Sequence, residues 1–449
     1  MGDKQWATFK KYAERVRYLR GPCWRVPASV QNNVIDALVR YQYATFPLLP
    51  NLTELVWSEL KMSNLIDPSV SLIRHFAGPG VTSVSLFLIC WPNHVSSELE
   101  VLADLPNLCP NVNSFTAFFP RSSYNDHSNE IGDIVRRWPQ LQTLRSCALP
   151  QSVMDTIMDS HKLHTLSIEL NNSSTAVYNG HIPPHVHTWS LGGNSAALCL
   201  RYLETIQGSP INFHLRIGAD DSTTADIEGL LGMLPQRTDK ERLRTLTVEL
   251  TSSYWSTPAS DSFSLSPVLP ALGSFSGLRE LDVSTFISSE MDDVAYETWA
   301  AGLTGLTSLK MGVGDVSKAR PLASVGAVLA VLRACRQLET LWIVFDASLP
   351  LPSRADDKGK QSKEAETKNR QGREVAKTKK DENEWGITNS LISQLRVGYS
   401  PIGEDEPALK ALARCLGTVM PRLEKIRADR YPPEVDERWG RVQGMLTRK

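Results

Sequence analysis

Apolar residues along this chain recur in one spaced phrase, Leu-x-x-Leu-x-apolar. Clean copies stand at Leu52/Leu55/Trp57, Leu141/Leu144, Leu163/Leu166/Ile168, Leu243/Leu246/Val248, Leu278/Leu281/Val283, Leu306/Leu309/Met311 and Leu338/Leu341/Ile343. Degenerate copies stand at Val81/Val84/Leu86, Val112/Phe115/Ala117, Val186/Trp189/Leu191, Ile392/Leu395/Val397 and Leu423/Ile426/Ala428. A further copy, Phe213/Leu215/Ile217, has lost its first leucine. Alternation within the phrase is that of a strand with one buried side. Between copies the spacing turns helical, over 97–105, 129–138, 152–160, 196–206, 224–234, 294–303 and 322–335. In the last of these Leu322, Val325, Val328/Leu329 and Leu332 recur at threes and fours, the stripe of a helix burying one side. Proline or glycine stands before many of the next phrases (Pro106, Pro139, Gly208, Pro235, Pro421), which predicts helix stops.

Self-similarity of this kind predicts an α/β leucine-rich-repeat solenoid. Strand, turn, helix, turn in succession makes parallel strands with right-handed crossovers. Sustained over many units, this gives a horseshoe with strands on the concave side and helices on the convex side. The first positions are spaced irregularly, by 29 (52 to 81), 22 (141 to 163) or 35 (243 to 278), so helix length varies between units. The array is expected over 46–449. Residues 1–45 hold two helical patterns, Trp6/Phe9/Ala13/Val16/Leu19 and Val30/Val34/Leu38/Tyr41, and are expected to cap its open N-terminal end. Thr251–Ser266 is rich in Ser, Thr and Pro and reads as a surface loop. Arg354–Glu384 carries ten Lys/Arg and eight Asp/Glu, with Val375 its only large apolar side chain. Such a stretch buries too little to offset ordering, so 351–385 is expected to be a disordered insertion within one repeat.

A solenoid changes how length is read, since each unit buries its apolar side only against neighbours and 449 residues need no second core. Formal net charge is −1, from 48 basic and 49 acidic residues, so no global field draws in nucleic acid or an anionic membrane. No run approaches the ~18 apolar residues of a membrane span, and Met1–Trp6 opens no signal-peptide core. The seven cysteines include no CxxC pair and read as reduced core residues. A cytoplasmic or nuclear location is expected.

Candidate chemistry is sparse. No HExxH, P-loop, GxSxG or GxGxxG pattern is present, so no enzyme activity and no cofactor are expected. The best metal candidate is His181, His185 and His187, with His161 and His164 one repeat earlier. A catalytic zinc site wants a third ligand and oriented partners, and these read first as loop histidines, with no metal expected. Asp220-Asp221 before Thr223, and Asp292-Asp293 before Val294, read as turn and helix N-cap residues rather than as acid–base pairs. The positions between core leucines point to the concave side. Ser and Thr dominate them in the N-terminal half (Ser83/Ser85, Ser114/Thr116), whereas charges and one tryptophan appear later. Trp and Arg most often anchor interfaces, so Arg216, Glu280, Asp282, Lys310, Trp342 and Arg396 are the expected partner-binding residues. They imply a protein target on the concave surface, with no nucleic acid and no membrane, since acids and bases alternate there.

The opening Trp6-Ala-Thr-Phe9-Lys-Lys-Tyr12-Ala13-Glu-Arg15-Val16-Arg17-Tyr18-Leu19 resembles the segment that joins F-box helices to the repeats in a large group of fungal F-box/leucine-rich-repeat proteins. That resemblance implies the substrate-recognition part of a receptor in a cullin-based ubiquitin ligase, with a Skp adaptor and cullin as partners. The group's Leu-Pro-x-Glu opening is absent, so those two partners are expected only if an F-box lies upstream. The alternative is a stand-alone leucine-rich-repeat binding protein unrelated to ubiquitin.

Overall fold

The structure is a computed structural model of the chain; it describes residues 2–20, 37–41, 46–59, 70–88, 95–118, 128–171, 178–251, 263–286, 288, 290–312, 320–352, 385–428 and 433–447. Val30 and Val34 of the second helical pattern of the expected cap, most of the Ser/Thr-rich loop and nearly all of the charged insertion lie outside these residues. Two compact units divide the chain, Met1–Met233 and Leu234–Lys449.

In the first unit the principal strands are β1 (Tyr18–Arg20), β2 (Glu54–Glu59), β3 (Ser83–Leu88), β4 (Ser114–Phe118), β5 (Thr143–Cys147), β6 (Thr165–Leu170), β8 (Thr188–Gly193) and β10 (Asn212–Gly218). They lie side by side in that order and every neighbouring pair is parallel. Two short strands, β7 (Gly180–Ile182) and β9 (Ile206–Gly208), form a small parallel sheet of their own. Helix α1 (Asp3–Ala13) precedes β1, helices α2 (Val95–Leu108), α3 (Ser128–Val135), α4 (Gln151–Met158) and α5 (Ala196–Thr205) fall between the strands, and α6 (Thr224–Arg237) runs through the division. The second unit repeats the plan: β11 (Thr245–Thr251), β12 (Glu280–Val283), β13 (Ser308–Met311), β14 (Thr340–Trp342), β15 (Gln394–Gly398) and β16 (Lys425–Ala428), again ordered and parallel. Its helices are α7 (Leu269–Gly273), α8 (Asp293–Ala300), α9 (Val325–Ala334), α10 (Glu406–Val419) and α11 (Pro433–Leu446). Both units are α/β leucine-rich-repeat solenoid, and neither run of strands closes into a barrel.

The core follows from the phrase. Leu55, Val84, Phe115, Leu144, Leu166, Trp189 and Phe213 share one register row and are buried, as are Leu246, Leu281, Leu309, Leu341 and Leu395 in the second unit. Each strand entry adds one backbone device. The Arg17 carbonyl accepts from the N–H groups of Thr53 and Glu54, at 2.8 and 3.1 Å. The Thr53 carbonyl does the same for Thr82 and Ser83, Thr82 for Asn113 and Ser114, and Asn113 for Gln142 and Thr143. In the second unit Arg244, Arg279, Thr307 and Ser393 repeat it. One carbonyl therefore anchors each of these strand entries, joined at three of them by a threonine hydroxyl, since Thr53, Thr82 and Thr307 donate to the carbonyls of Arg17, Thr53 and Arg279.

Three expectations change. The sheet starts at β1, inside the segment read as a helical cap, because Val16-Arg17-Tyr18-Leu19 is itself a degenerate copy of the phrase with Arg17 at the entry position. Pro106 and Pro235 do not end their helices; each sits inside the last turns of α2 and α6. Proline loses its own N–H bond there, but the residues after it still find acceptors, as in Cys109 N–H to the Leu105 carbonyl (2.7 Å) and Thr238 N–H to that of Leu234 (3.0 Å). The cap of α6 is Thr223, not Asp220 or Asp221. Its hydroxyl oxygen accepts from the Asp226 N–H at 3.2 Å while the Asp226 carboxylate takes the Thr223 N–H, a reciprocal capping pair. Asp292 caps α8 as expected, accepting from Ala295 N–H at 2.8 Å.

A terminal cover that the sequence reading missed is α11. It buries Trp439, Val442 and Leu446, and Gln443 bonds both the Glu424 carbonyl and the Ile426 N–H of β16. Last repeats need such a cover.

Candidate functional site

The side of each sheet opposite the buried leucines carries the expected partner-binding residues, in two separate groups. In the second unit, parallel register puts Asp282 of β12, Lys310 of β13, Trp342 of β14 and Arg396 of β15 in one row, with Arg427 of β16 next. Neighbours in a row stand about 4.8 Å apart at the backbone, so their side chains meet. Lys310 Nζ lies 2.9 Å from Asp282 Oδ2, and Asp282 Oδ1 accepts from the Ser284 hydroxyl at 2.7 Å. The Trp342 ring has Lys310 Nζ 4.8 Å and the Arg396 guanidinium 4.5 Å from its centroid. Two cation–π contacts of about 0.5–1 kcal/mol each hold a half-buried indole in one orientation. Glu280 is exposed one row below, opposite Thr245 and Ser308, and makes no ion pair among the described residues. Five of the six expected residues thus belong to one face of the second unit.

Arg216 belongs to the first unit and to a different row. Register pairs it with Gly192 rather than with Ser190, and the residues level with Ser190 and Thr188 are His214 and Asn212. The lost first leucine explains the slip, because Phe213 occupies the row of Leu166 and Trp189. Arg216 pairs instead with Glu169, which Arg145 approaches at 3.2 Å from the other side. Gly192 stands between the two strands involved, and a Cβ there would overlap the Glu169 carboxylate. Arg145 also lies over the Phe118 ring at 5.9 Å, and Phe118 meets Phe87 at 6.0 Å between centroids. Phe87, Phe118, Arg145, Glu169 and Arg216 therefore make a second ribbon, on the open face of the first unit. Its aromatic end lies beyond the two inward-facing positions that each phrase predicts. The signal was an aromatic after the last core position in two successive phrases, Phe87 and Phe118.

The histidines of the metal candidate come together as two pairs at the entries to β6 and β8. His161 meets His185 edge-on, with ring centroids 5.2 Å apart, and His164 stacks on His187 at 5.8 Å. Burial, then the neighbouring imidazoles, with His161 first, lower the pKa of His185 from its usual range, and its Nε2 is buried without a hydrogen-bond partner. His181 sits apart on β7, level with Gln207. Among the described residues no group of three His, Cys, Asp or Glu side chains is arranged to hold a metal. Cys109 and Cys335 are buried, and loss of solvation pushes their thiols up to about 11 and about 12. Thiols held protonated in this way are poor nucleophiles.

No family model matches the chain, and no curated protein matches it. Among solved structures it is similar to the leucine-rich repeat-containing protein LegL7 from Legionella pneumophila, at 16% identity, covering 70% of this chain and 96% of that one with a TM-score of 0.35. It is also similar to the Leptospira interrogans leucine-rich-repeat protein LIC12759, at 13% identity over 98% of this chain and 97% of that one, TM-score 0.35. The yeast Rad7 and Elc1 complex matches at 12% identity over 76% of this chain and 88% of that one, TM-score 0.31.

Proposed function

We propose that this chain is a protein-recognition scaffold whose open sheet face holds a partner, and that it serves as the substrate-recognition part of an F-box-type receptor in a cullin-based ubiquitin ligase. One observation carries the first half: Trp342, the side-chain type that most often anchors interfaces, is clamped half-buried between Lys310 and Arg396 on a solvent-facing row. An anchor whose orientation is already fixed loses little freedom on binding. The Trp6–Leu19 segment supports the second half. Transfer of ubiquitin would belong to other subunits, and a cytoplasmic or nuclear location goes with the role.

The test is affinity purification of the tagged chain followed by mass spectrometry, with Trp342→Ala and Arg216→Ala run in parallel. Expected are at least one protein retained by the parent and lost from Trp342→Ala and, where an F-box lies upstream of the repeats, co-purifying Skp adaptor and cullin. Absence of adaptor and cullin when that F-box is present overturns the ligase role and leaves a stand-alone binding protein. A partner set unchanged by both substitutions overturns the open-face reading.

A further inference from the structure

We infer that the open face of β14–β16 takes an acidic, extended segment of the partner protein. The inference rests on the scaffold reading above and adds the chemistry of what is held. The inward positions of these three strands are Thr340, Trp342, Gln394, Arg396, Lys425 and Arg427. Three are cations and none is an acid. The acids of this face, Glu249, Glu280 and Asp282, lie back on β11 and β12, where Asp282 is already engaged with Lys310. Lys425 and Arg427 are exposed and make no ion pair among the described residues. The face is thus graded from acidic at β12 to basic at β16, where Lys425 and Arg427 are able to pair.

Trp342 narrows the chemistry further. With cations near its ring, the indole turns an edge to the partner, and among the described residues its Nε1–H has no hydrogen-bond acceptor. An indole N–H can only donate, so it asks for an oxygen. A carboxylate satisfies that donor, and a second one pairs with Arg427 in the same row, in charge-assisted bonds roughly twice as strong as neutral ones. An extended segment places alternate side chains on one side about 7 Å apart, so acids two residues apart reach from Trp342 toward Arg427. A nucleic acid would also meet the cations, but its repeated phosphates would then run onto Glu280 and Asp282.

The experiment is selection of short random displayed peptides on the full chain, beside Trp342→Ala and the double reversal Lys425→Glu/Arg427→Glu. Circular dichroism and thermal melting check that each variant is folded. Peptides rich in Asp and Glu should be enriched on the parent. Converting those acids to amides, or using the double reversal, should weaken a selected peptide about tenfold by fluorescence anisotropy, the size of one good charge pair. Peptides lost on Trp342→Ala, yet without excess acid and indifferent to the reversal, overturn the acidic segment and leave the scaffold reading standing. Peptides indifferent to every substitution, or no enrichment, overturn both. A uridine-rich oligonucleotide binding more tightly than any peptide overturns the protein segment in favour of nucleic acid.

Discussion

Asn389 is the side chain on which the position of β15, and so of Arg396, most directly depends. It is 2% exposed and commits its whole amide to the backbone. Its Nδ2 donates to the Leu338 carbonyl at 2.9 Å, one repeat earlier, and its Oδ1 accepts from the N–H groups of Leu391 and Ile392 at 2.9 and 3.1 Å. Replacing it with alanine orphans three backbone groups. Leu391 is exposed and its N–H can turn to water, whereas Leu338 and Ile392 are fully buried. Each buried group left unpaired costs about 1–3 kcal/mol, so Asn389→Ala is expected to destabilise the second unit by about 2–4 kcal/mol. For a unit of this size that is a fall in Tm of roughly 10 °C. Urea denaturation of the full chain followed by circular dichroism measures it, with the exposed neighbour Leu391→Ala as the control. A loss below about 0.5 kcal/mol, the scatter expected of ordinary surface substitutions, would falsify the claim that this amide holds the strand entry. The same variant should weaken peptide capture in parallel with its effect on Arg396.

Two further outcomes are expected. Gly192→Ala should push Glu169 out from between Arg145 and Arg216 and destabilise the first unit by about 1–2 kcal/mol, an ion-pair loss discounted for partial exposure; adding Glu169→Gln should cost little more, since the two act through one contact, and full additivity in urea melts would refute this. His185 has a pKa lowered from 6.5, so the folded chain resists its protonation. Its contribution is therefore present above that value and is lost as pH falls through the folded pKa. His185→Gln should flatten the decline in Tm between about pH 7.5 and about pH 5, and an unchanged slope would contradict the assignment.

The strands were legible in the sequence because their buried side must present an apolar residue at fixed offsets, and every row of the core obeys that rule. Legibility failed where a feature rested on backbone or on length. Arg216 was misplaced by one row because Pro210 stands where the phrase wants a leucine, so only the neighbouring strand could fix the register. Phe87, Phe118 and Glu169 went unnoticed because they lie one step past the phrase, and how far a strand runs is set by its neighbours. The β7–β9 pair, three residues each, carries too short a pattern to announce itself. Glu280, Asp282, Lys310, Trp342 and Arg396 share one face, since alternation alone decides which side they take.

The carbonyl shared at each strand entry has a consequence for how this molecule can change over generations. Alignment of successive strands is held by main-chain atoms, by entry side chains such as Thr53 and Asn389, and by the leucine side, so the residues on the open face carry little of that burden. They are free to be exchanged wholesale, as the shift from serine and threonine around β3 and β4 to lysine, arginine and tryptophan around β13–β16 already displays. A lineage can rewrite what it recognises while leaving its architecture untouched.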